Sequence, residues 1–203
     1  MKNAEGNDND DNLDQSFWDN PNLEIAQQSL PSYENFFLAF PSHLDDNTKT
    51  ALQVYTIAGG PLLAAYNQNP NKYSNTCAIR LSIALKNCGI TIPYLPNRTF
   101  QGANNKYYFL NASEMIKWLK LTFGAPTGSN HLTGAQGGTY GENFKDLISG
   151  KRGIYAMTPN VPGIGGFEAS GHVDILDNQI GADGGEYFNP KGGVKEIFIW
   201  QLN

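Results

Sequence analysis

Apolar residues recur at helical spacing through the first three quarters of this chain of 203 residues. The predicted helices span residues 32–40, 51–66, 75–88, 114–123 and 142–149. Ser32 and Pro41 bound the first of them, since serine caps helices and proline ends them. Gly59-Gly60-Pro61 lies inside the second and predicts a break there. Either Asn111 or Ser113 is placed to cap the fourth.

Short runs of β-branched and aromatic residues, separated by Gly and Pro, follow after residue 150 and predict strands. The predicted strands span residues 153–157, 172–176, 187–188 and 196–200. No helix-length segment separates them, so we expect an antiparallel sheet. Helices first and strands last predict a single α+β domain over residues 31–203. An acidic, amide-rich extension, residues 1–30, precedes it and is expected to be disordered.

Charge is distributed unevenly along the chain. Residues 1–46 carry ten acidic residues and one basic residue, so a chain of net charge −5 has a mildly basic remainder. An acidic leader and the lack of a basic stripe argue against a nucleic-acid partner. No apolar run is long enough to span a membrane, and no secretory signal is visible, so we expect no membrane association. If the protein acts outside its own cytoplasm, we expect a route other than general secretion.

Cys77 stands at the predicted start of the helix over residues 75–88. It follows Ser74, Asn75 and Thr76, which are all helix-capping residue types. The positive end of the helix dipole favours the thiolate there, which is how proteins prepare a cysteine nucleophile. The backbone N–H of Cys77 is placed to stabilise an oxyanion. The alternative is an inert, buried structural cysteine.

The second cysteine, Cys88, cannot form a disulfide with Cys77. Eleven residues of one helix separate them, an axial rise of about 16 Å. A disulfide requires Cα atoms within about 7 Å. We therefore expect Cys77 to be a reduced thiol and Cys88 to be a small core residue.

A cysteine nucleophile needs a base, and His172 is the best placed of the chain's three histidines. It opens the predicted strand over residues 172–176 directly after Gly171, where its ring can face a cleft. His43 and His131 fall in predicted loop or surface positions. A single histidine on a strand can equally be structural.

Two carboxylates compete to orient the imidazole of His172. Asp174 faces the same way but lies roughly 7 Å further along the strand. Asp183 follows the predicted turn over residues 177–181, on the next antiparallel strand. Cross-strand neighbours approach within about 5.5 Å, so we prefer Asp183.

Other chemistries lack support in the sequence. The chain has no HExxH motif and no paired CxxC motifs, and its glycine runs lack the strand-to-helix setting of a phosphate loop. We expect neither a metal nor a cofactor.

The stretch Asn75–Asn87 resembles the nucleophile helix of the fourth family of type VI secretion amidase effectors. Four further stretches resemble the same family in the same order. They are residues 31–40, 55–60, 118–126 and 171–176. The resemblance covers residues 31–203 and leaves out the acidic extension.

The resemblance implies a papain-like fold of the NlpC/P60 kind, in which the nucleophile helix packs on a C-terminal antiparallel sheet. It implies hydrolysis of the γ-D-glutamyl–meso-diaminopimelate bond in peptidoglycan stem peptides. Carried over residue by residue, the nucleophile is Cys77 and the base is His172. The family's aspartate, about eleven residues after the histidine, falls on Asp183.

The resemblance further implies an antibacterial effector that the type VI system delivers to the periplasm of target bacteria. Its expected partners are peptidoglycan stem peptides, components of the secretion system and a cognate immunity protein. A housekeeping NlpC/P60 cell-wall hydrolase remains an alternative. Another is a non-catalytic wall-binding or adaptor protein in which Cys77 and His172 are core residues.

Overall fold

Helices occupy the first part of the chain and an antiparallel sheet the second. The computed structural model describes residues 15–42, 49–161, 169–178, 180–181 and 187–203. The helices are α1 (Tyr33–Ala39), α2 (Ala51–Ala58), α3 (Gly60–Gln68), α4 (Cys77–Asn87), α5 (Ala112–Phe123) and α6 (Phe144–Ile148). The strands are β1 (Thr99–Gln101), β2 (Tyr107–Phe109), β3 (His131–Thr133), β4 (Arg152–Pro159), β5 (His172–Asp177), β6 (Ile180–Gly181) and β7 (Val194–Gln201). Within these ranges, no helix is both long enough and apolar enough to cross a membrane.

Caps and glycines set the helix ends where the sequence predicts them. The Ser32 hydroxyl accepts a hydrogen bond from the Asn35 amide at 3.4 Å at the start of α1. The Asn111 side chain accepts one from the Glu114 amide at 2.9 Å at the start of α5. Gly59 has φ of +63°, which glycine adopts readily, and separates α2 from α3. The predicted break in the second helix is confirmed.

The main sheet has the strand order β3-β7-β4-β5-β6, and every neighbouring pair is antiparallel. In the register of its central strands, Met157 of β4 lies opposite both His172 of β5 and Ile197 of β7. Strands β1 and β2 form a separate antiparallel hairpin. The predicted α+β architecture and antiparallel sheet are confirmed.

The two faces of the sheet bury different sets of side chains. Helices α4 and α5 cover one face, where Val173 and Ile175 of β5 belong to the larger core cluster. Side chains alternate along a strand, so Tyr155 and Met157 of β4 point to the opposite face. There they pack with Phe144 of α6 in a second cluster.

Three local predictions differ from the structure. The strand predicted at Tyr187 and Phe188 is wrong, because Tyr187 has φ of +51°, a left-handed conformation that an extended strand excludes. Strand β3 lies in a stretch that the glycine content predicts as loop. The hairpin of β1 and β2 carries no clear signal, since each strand has only three residues.

Residues 15–30, which we call the N-terminal strap, run along α5 although the sequence places them in the extension. The indole of Trp18 donates to Glu114 Oε2 at 2.7 Å, beside the start of α5. The backbone amide of Gln28 donates to the carbonyl of Thr122 at 3.0 Å, at the helix's other end. Residues 1–14 lie outside the described residues, so disorder there, and a domain boundary at residue 30, stay predictions.

Candidate active site

Cys77 is the first residue of α4, as the capping pattern predicts, and its side chain is 6% exposed. Neither it nor Cys88, which ends the same helix, forms a disulfide. The Cys77 amide donates to the side-chain oxygen of Asn75 at 3.3 Å. The Cys77 N–H, which we predict to stabilise an oxyanion, is therefore already hydrogen-bonded to Asn75. A substrate oxygen bound there has to replace Asn75.

A buried arginine lies one turn beyond the thiol. Thr76, at the N-cap position, does not cap α4 with its side chain. Its hydroxyl instead accepts a hydrogen bond from Nε of Arg80 at 2.7 Å. The Arg80 guanidinium also donates to the backbone carbonyls of Pro41 and Lys49, and the residue is only 3% exposed. A buried positive charge therefore belongs to the turn of α4 that follows Cys77.

Tyr55 of α2 is a neighbour of Cys77 that the sequence does not single out. Burial, followed by the charges of Tyr73 and Cys77, raises the pKa of Tyr55 above its usual range, so the hydroxyl stays protonated. The Tyr55 ring stacks on Tyr66 at a centroid distance of 4.8 Å. Its hydroxyl is buried and has no hydrogen-bond partner among the described residues. A polar group thus lies close to the candidate nucleophile.

His172 opens β5, as predicted, and is 4% exposed. The ring of Tyr187 lies against the imidazole, with the centroids 4.6 Å apart. Oδ2 of Asp174 is 3.8 Å from Nε2 of His172, which is longer than a normal hydrogen bond. Oδ1 of Asp174 accepts the backbone N–H of Ile175 at 2.7 Å.

Helix α4 packs against strand β5, so the elements that carry the predicted nucleophile and base are in contact. Alternation along β5 points Val173 toward the helix and His172 toward the opposite face, beside Tyr155. Cys77 and His172 each occupy the first position of their element, α4 and β5 respectively.

Contacts at the start of α5 connect these two ends. Leu110, just before α5, packs in one buried cluster with Ile79 of the first turn of α4. Its neighbour Asn111 accepts a hydrogen bond from the Ser170 hydroxyl at 3.1 Å, two residues before His172. Because Asn111 also caps α5, one amide side chain ties that helix to the segment leading into β5. The sequence predicts the cap but not this second role.

Of the three remaining candidate residues, His131 alone lies among the residues that the structure describes. Asp183 and His43 fall outside the described residues, so the preference for Asp183 over Asp174 stays a prediction. His131 begins β3, with Nε2 2.9 Å from Glu196 Oε1 and its ring stacked on Phe198. These contacts give His131 a structural role at the edge of the sheet.

Comparisons of the sequence and of the fold with known proteins find similar proteins. The sequence model of the family described as type VI secretion system (T6SS), amidase effector protein 4, or Tae4, matches residues 73–200. The fold is similar to Tae4 from Salmonella typhimurium, solved in complex with the immunity protein Tai4 from Enterobacter cloacae. That comparison gives a TM-score of 0.64 at 25% identity and covers 85% of this chain and 99% of the other.

Tae4 from Enterobacter cloacae is similar in fold, with a TM-score of 0.65 at 22% identity over 88% of this chain and 100% of that one. No curated protein matches the sequence. The family match spans more than half of the chain and includes both Cys77 and His172. The chain therefore belongs to the Tae4 family of type VI secretion amidase effectors.

Proposed function

We propose that this amidase effector hydrolyses the γ-D-glutamyl–meso-diaminopimelate bond of peptidoglycan stem peptides, with Cys77 as nucleophile, His172 as base and Asp183 as the group that orients the base. The observation that carries the proposal is Cys77 at the first position of α4, one turn from the buried charge of Arg80. Packing of this helix on the strand that begins with His172 supports it further.

The reaction is acyl transfer to water. His172 removes the thiol proton, and the Cys77 thiolate attacks the amide carbonyl to form a tetrahedral intermediate. The Cys77 amide stabilises the developing oxyanion once the substrate oxygen replaces Asn75. His172 then protonates the leaving amine as the C–N bond breaks. Water attacks the thioester, releases the carboxylate and restores the thiol.

The proposal extends to the type of fold and to the partners of the protein. We propose a papain-like arrangement of the NlpC/P60 kind, because helix α4 with a cysteine at its start packs on an antiparallel sheet. The matching Salmonella typhimurium protein was solved with an immunity protein, which supports a cognate immunity partner for this chain. The type VI system delivers the protein to the periplasm of target bacteria, where its substrate lies.

Replacement of the nucleophile tests the chemistry directly. Cys77→Ala should abolish release of peptide fragments from purified peptidoglycan while leaving the folded state intact, since the change removes one sulfur atom at a helix start. Mass spectrometry of the digest reports both activity and the bond that is cut.

Cys88→Ala is the matched control, because it removes the other thiol of the same helix. Burial raises the pKa of Cys88, so this thiol is a poor nucleophile at neutral pH and its loss should leave activity unchanged. Full activity of Cys77→Ala contradicts the proposed chemistry. Fragments cut at a different bond contradict the proposed specificity.

A further inference from the structure

Two tyrosine rings contact the imidazole of His172. The ring of Tyr155, on the neighbouring strand β4, is buried, and its centroid lies 6.2 Å from that of the imidazole. The ring of Tyr187 lies closer, with the centroids 4.6 Å apart and the ring planes inclined by 60°. His172 is 4% exposed, whereas Tyr187 is 45% exposed. Tyr187 therefore covers part of the imidazole and itself reaches the surface.

The backbone of Tyr187 is left-handed, with φ of +51°. This conformation is unfavourable for a residue with a bulky side chain, because its Cβ atom crowds the following carbonyl oxygen. Every other non-glycine residue with a positive φ, within the part of the chain that the structure describes, is an asparagine, which adopts this conformation more readily. Strained backbone persists where surrounding contacts impose it, and such residues cluster at functional sites.

Contacts of the next residue, Phe188, restrict the conformations open to Tyr187. The ring of Phe188 packs with Phe144 of α6 and with Tyr155, at centroid distances of 5.7 Å and 6.4 Å. On the backbone side, a Cβ atom at Gly141 would lie 2.0 Å from the carbonyl oxygen of Phe188, so only glycine permits this approach. Both the side chain and the backbone of Phe188 are therefore held in place.

The left-handed turn brings two neighbouring rings to the same face of the sheet. In an extended chain, successive side chains point to opposite sides, so a strand here would direct Tyr187 away from the cluster that holds Phe188. In the structure, Phe188 contacts Tyr155 while Tyr187 contacts His172, and these two partners contact each other. The strained conformation thus accompanies the contact with the imidazole.

We propose that Tyr187 is a positioning residue that holds the imidazole of His172 in the orientation needed for proton transfer. The inference rests on the proposed function, in which His172 is the base. Proton transfer requires the base to lie within hydrogen-bond reach of the proton that it accepts, so a ring that rotates freely transfers protons more slowly. Strain at Tyr187 is then a loss of stability that the protein accepts for activity.

Three substitutions of Tyr187 separate the ring from the strain. Tyr187→Phe keeps the ring and should change kcat on a synthetic stem peptide by less than about twofold. Tyr187→Ala and Tyr187→Gly remove the ring, so both should lower kcat roughly 10- to 100-fold. Glycine alone relieves the left-handed strain, so urea unfolding should find Tyr187→Gly more stable than Tyr187→Ala. A residue with a merely structural role would rank the variants alike in stability and in kcat.

Tyr140→Ala is the matched control. It removes another tyrosine ring, which is 70% exposed and lies in the loop before α6. This variant should keep kcat within about twofold of the wild-type value. A loss of kcat as large as that of Tyr187→Ala overturns the proposal, because it would make the effect a general consequence of removing a surface ring.

NMR relaxation of the imidazole C–H groups, assigned with His172→Gln, measures the ring's mobility without any cleavage. The imidazole should be rigid in the wild type and in Tyr187→Phe, and more mobile in the alanine and glycine variants. Wild-type kcat in Tyr187→Gly, or an equally rigid imidazole without the ring, overturns the positioning role and leaves the proposed function standing. If Tyr187 restricts the imidazole but the wild-type protein does not cleave the stem peptide, the proposed function fails and the restriction of His172 stands.

Discussion

The environment of His172 shows how two residues on one strand approach each other. Residues two apart in a strand are separated by about 7 Å along the backbone. The side chains of His172 and Asp174 nevertheless lean together until Nε2 and Oδ2 are 3.8 Å apart. Asp174 is therefore a stronger competitor than its spacing suggests, although it is 1% exposed and its other oxygen is bonded to the backbone.

Substitution of the two carboxylates distinguishes their roles. Asp183→Ala should lower kcat by about 100-fold or more, since a base whose tautomer is not fixed transfers protons poorly. Asp174→Ala should mainly reduce stability, because it removes a buried group that accepts the Ile175 amide. Single-turnover cleavage rates and urea unfolding, measured on both variants, give the comparison.

The isosteric variants Asp183→Asn and Asp174→Asn serve as controls, because each keeps the shape of the side chain and removes its charge. If replacement of Asp174 lowers kcat more than replacement of Asp183, both with alanine and with asparagine, then Asp174 is the third member of the catalytic set. In that case the interaction at 3.8 Å shortens when substrate binds.

Elements with strong local signals were predictable from sequence. Helix α4 begins within two residues of its predicted start, because capping residues precede an apolar repeat that Gly89 ends. The same reasoning located β5 and placed His172 at its first position. Local sequence thus identified the two elements that carry the candidate chemistry.

Contacts between distant segments were not predictable, because no local pattern encodes them. Arg80 looks from the sequence like one charge in an apolar helix, yet it binds carbonyl groups 31 and 39 residues earlier in the chain. The sequence predicts that Asn111 caps a helix, but its side chain also accepts a hydrogen bond from Ser170 in a distant segment of the chain. The backbone of Tyr187 turns left-handed where its composition predicts a strand. These residues surround the candidate site, so its geometry depends on tertiary contacts.

Asn111 offers a test of how much the start of α5 supports the site. Asn111→Ala removes the cap of α5 and the acceptor for Ser170, so it should lower the free energy of unfolding by about 2 kcal/mol. It should also reduce kcat, because the segment leading to His172 loses a fixed contact. Urea unfolding and cleavage rates measure the two effects.

Ser32→Ala is the matched control for Asn111→Ala, since Ser32 caps α1 through a single bond to Asn35. Ser32→Ala should lower the free energy of unfolding by about 1 kcal/mol and leave kcat unchanged. If Asn111→Ala lowers the free energy of unfolding by no more than Ser32→Ala does, and the variant cleaves at the normal rate, the contact to Ser170 does not support the site.

At the scale of the whole molecule, the N-terminal strap adds a layer outside the region that the family model matches, which begins at residue 73. One of its anchors is Trp18, whose indole donates to the buried carboxylate of Glu114. The same carboxylate pairs with Nε of Arg98 at 3.0 Å and with Nζ of Lys117 at 2.9 Å. The ring of Phe17 lies over the Arg98 guanidinium, 3.9 Å from its centre. The strap therefore completes the surroundings of a buried ion pair.

Trp18→Ala should lower the free energy of unfolding by about 2 kcal/mol, because it removes both a hydrogen bond to a charged group and the packing of the indole. Trp18→Phe keeps an aromatic ring and loses only the N–H donor, so it should cost about half as much. Urea unfolding of both variants gives the two values. Since Glu114 keeps Arg98 and Lys117 as partners in either case, the ion pair should survive and the fold should persist. A wild-type midpoint for Trp18→Ala would show that this contact of the strap contributes nothing to stability.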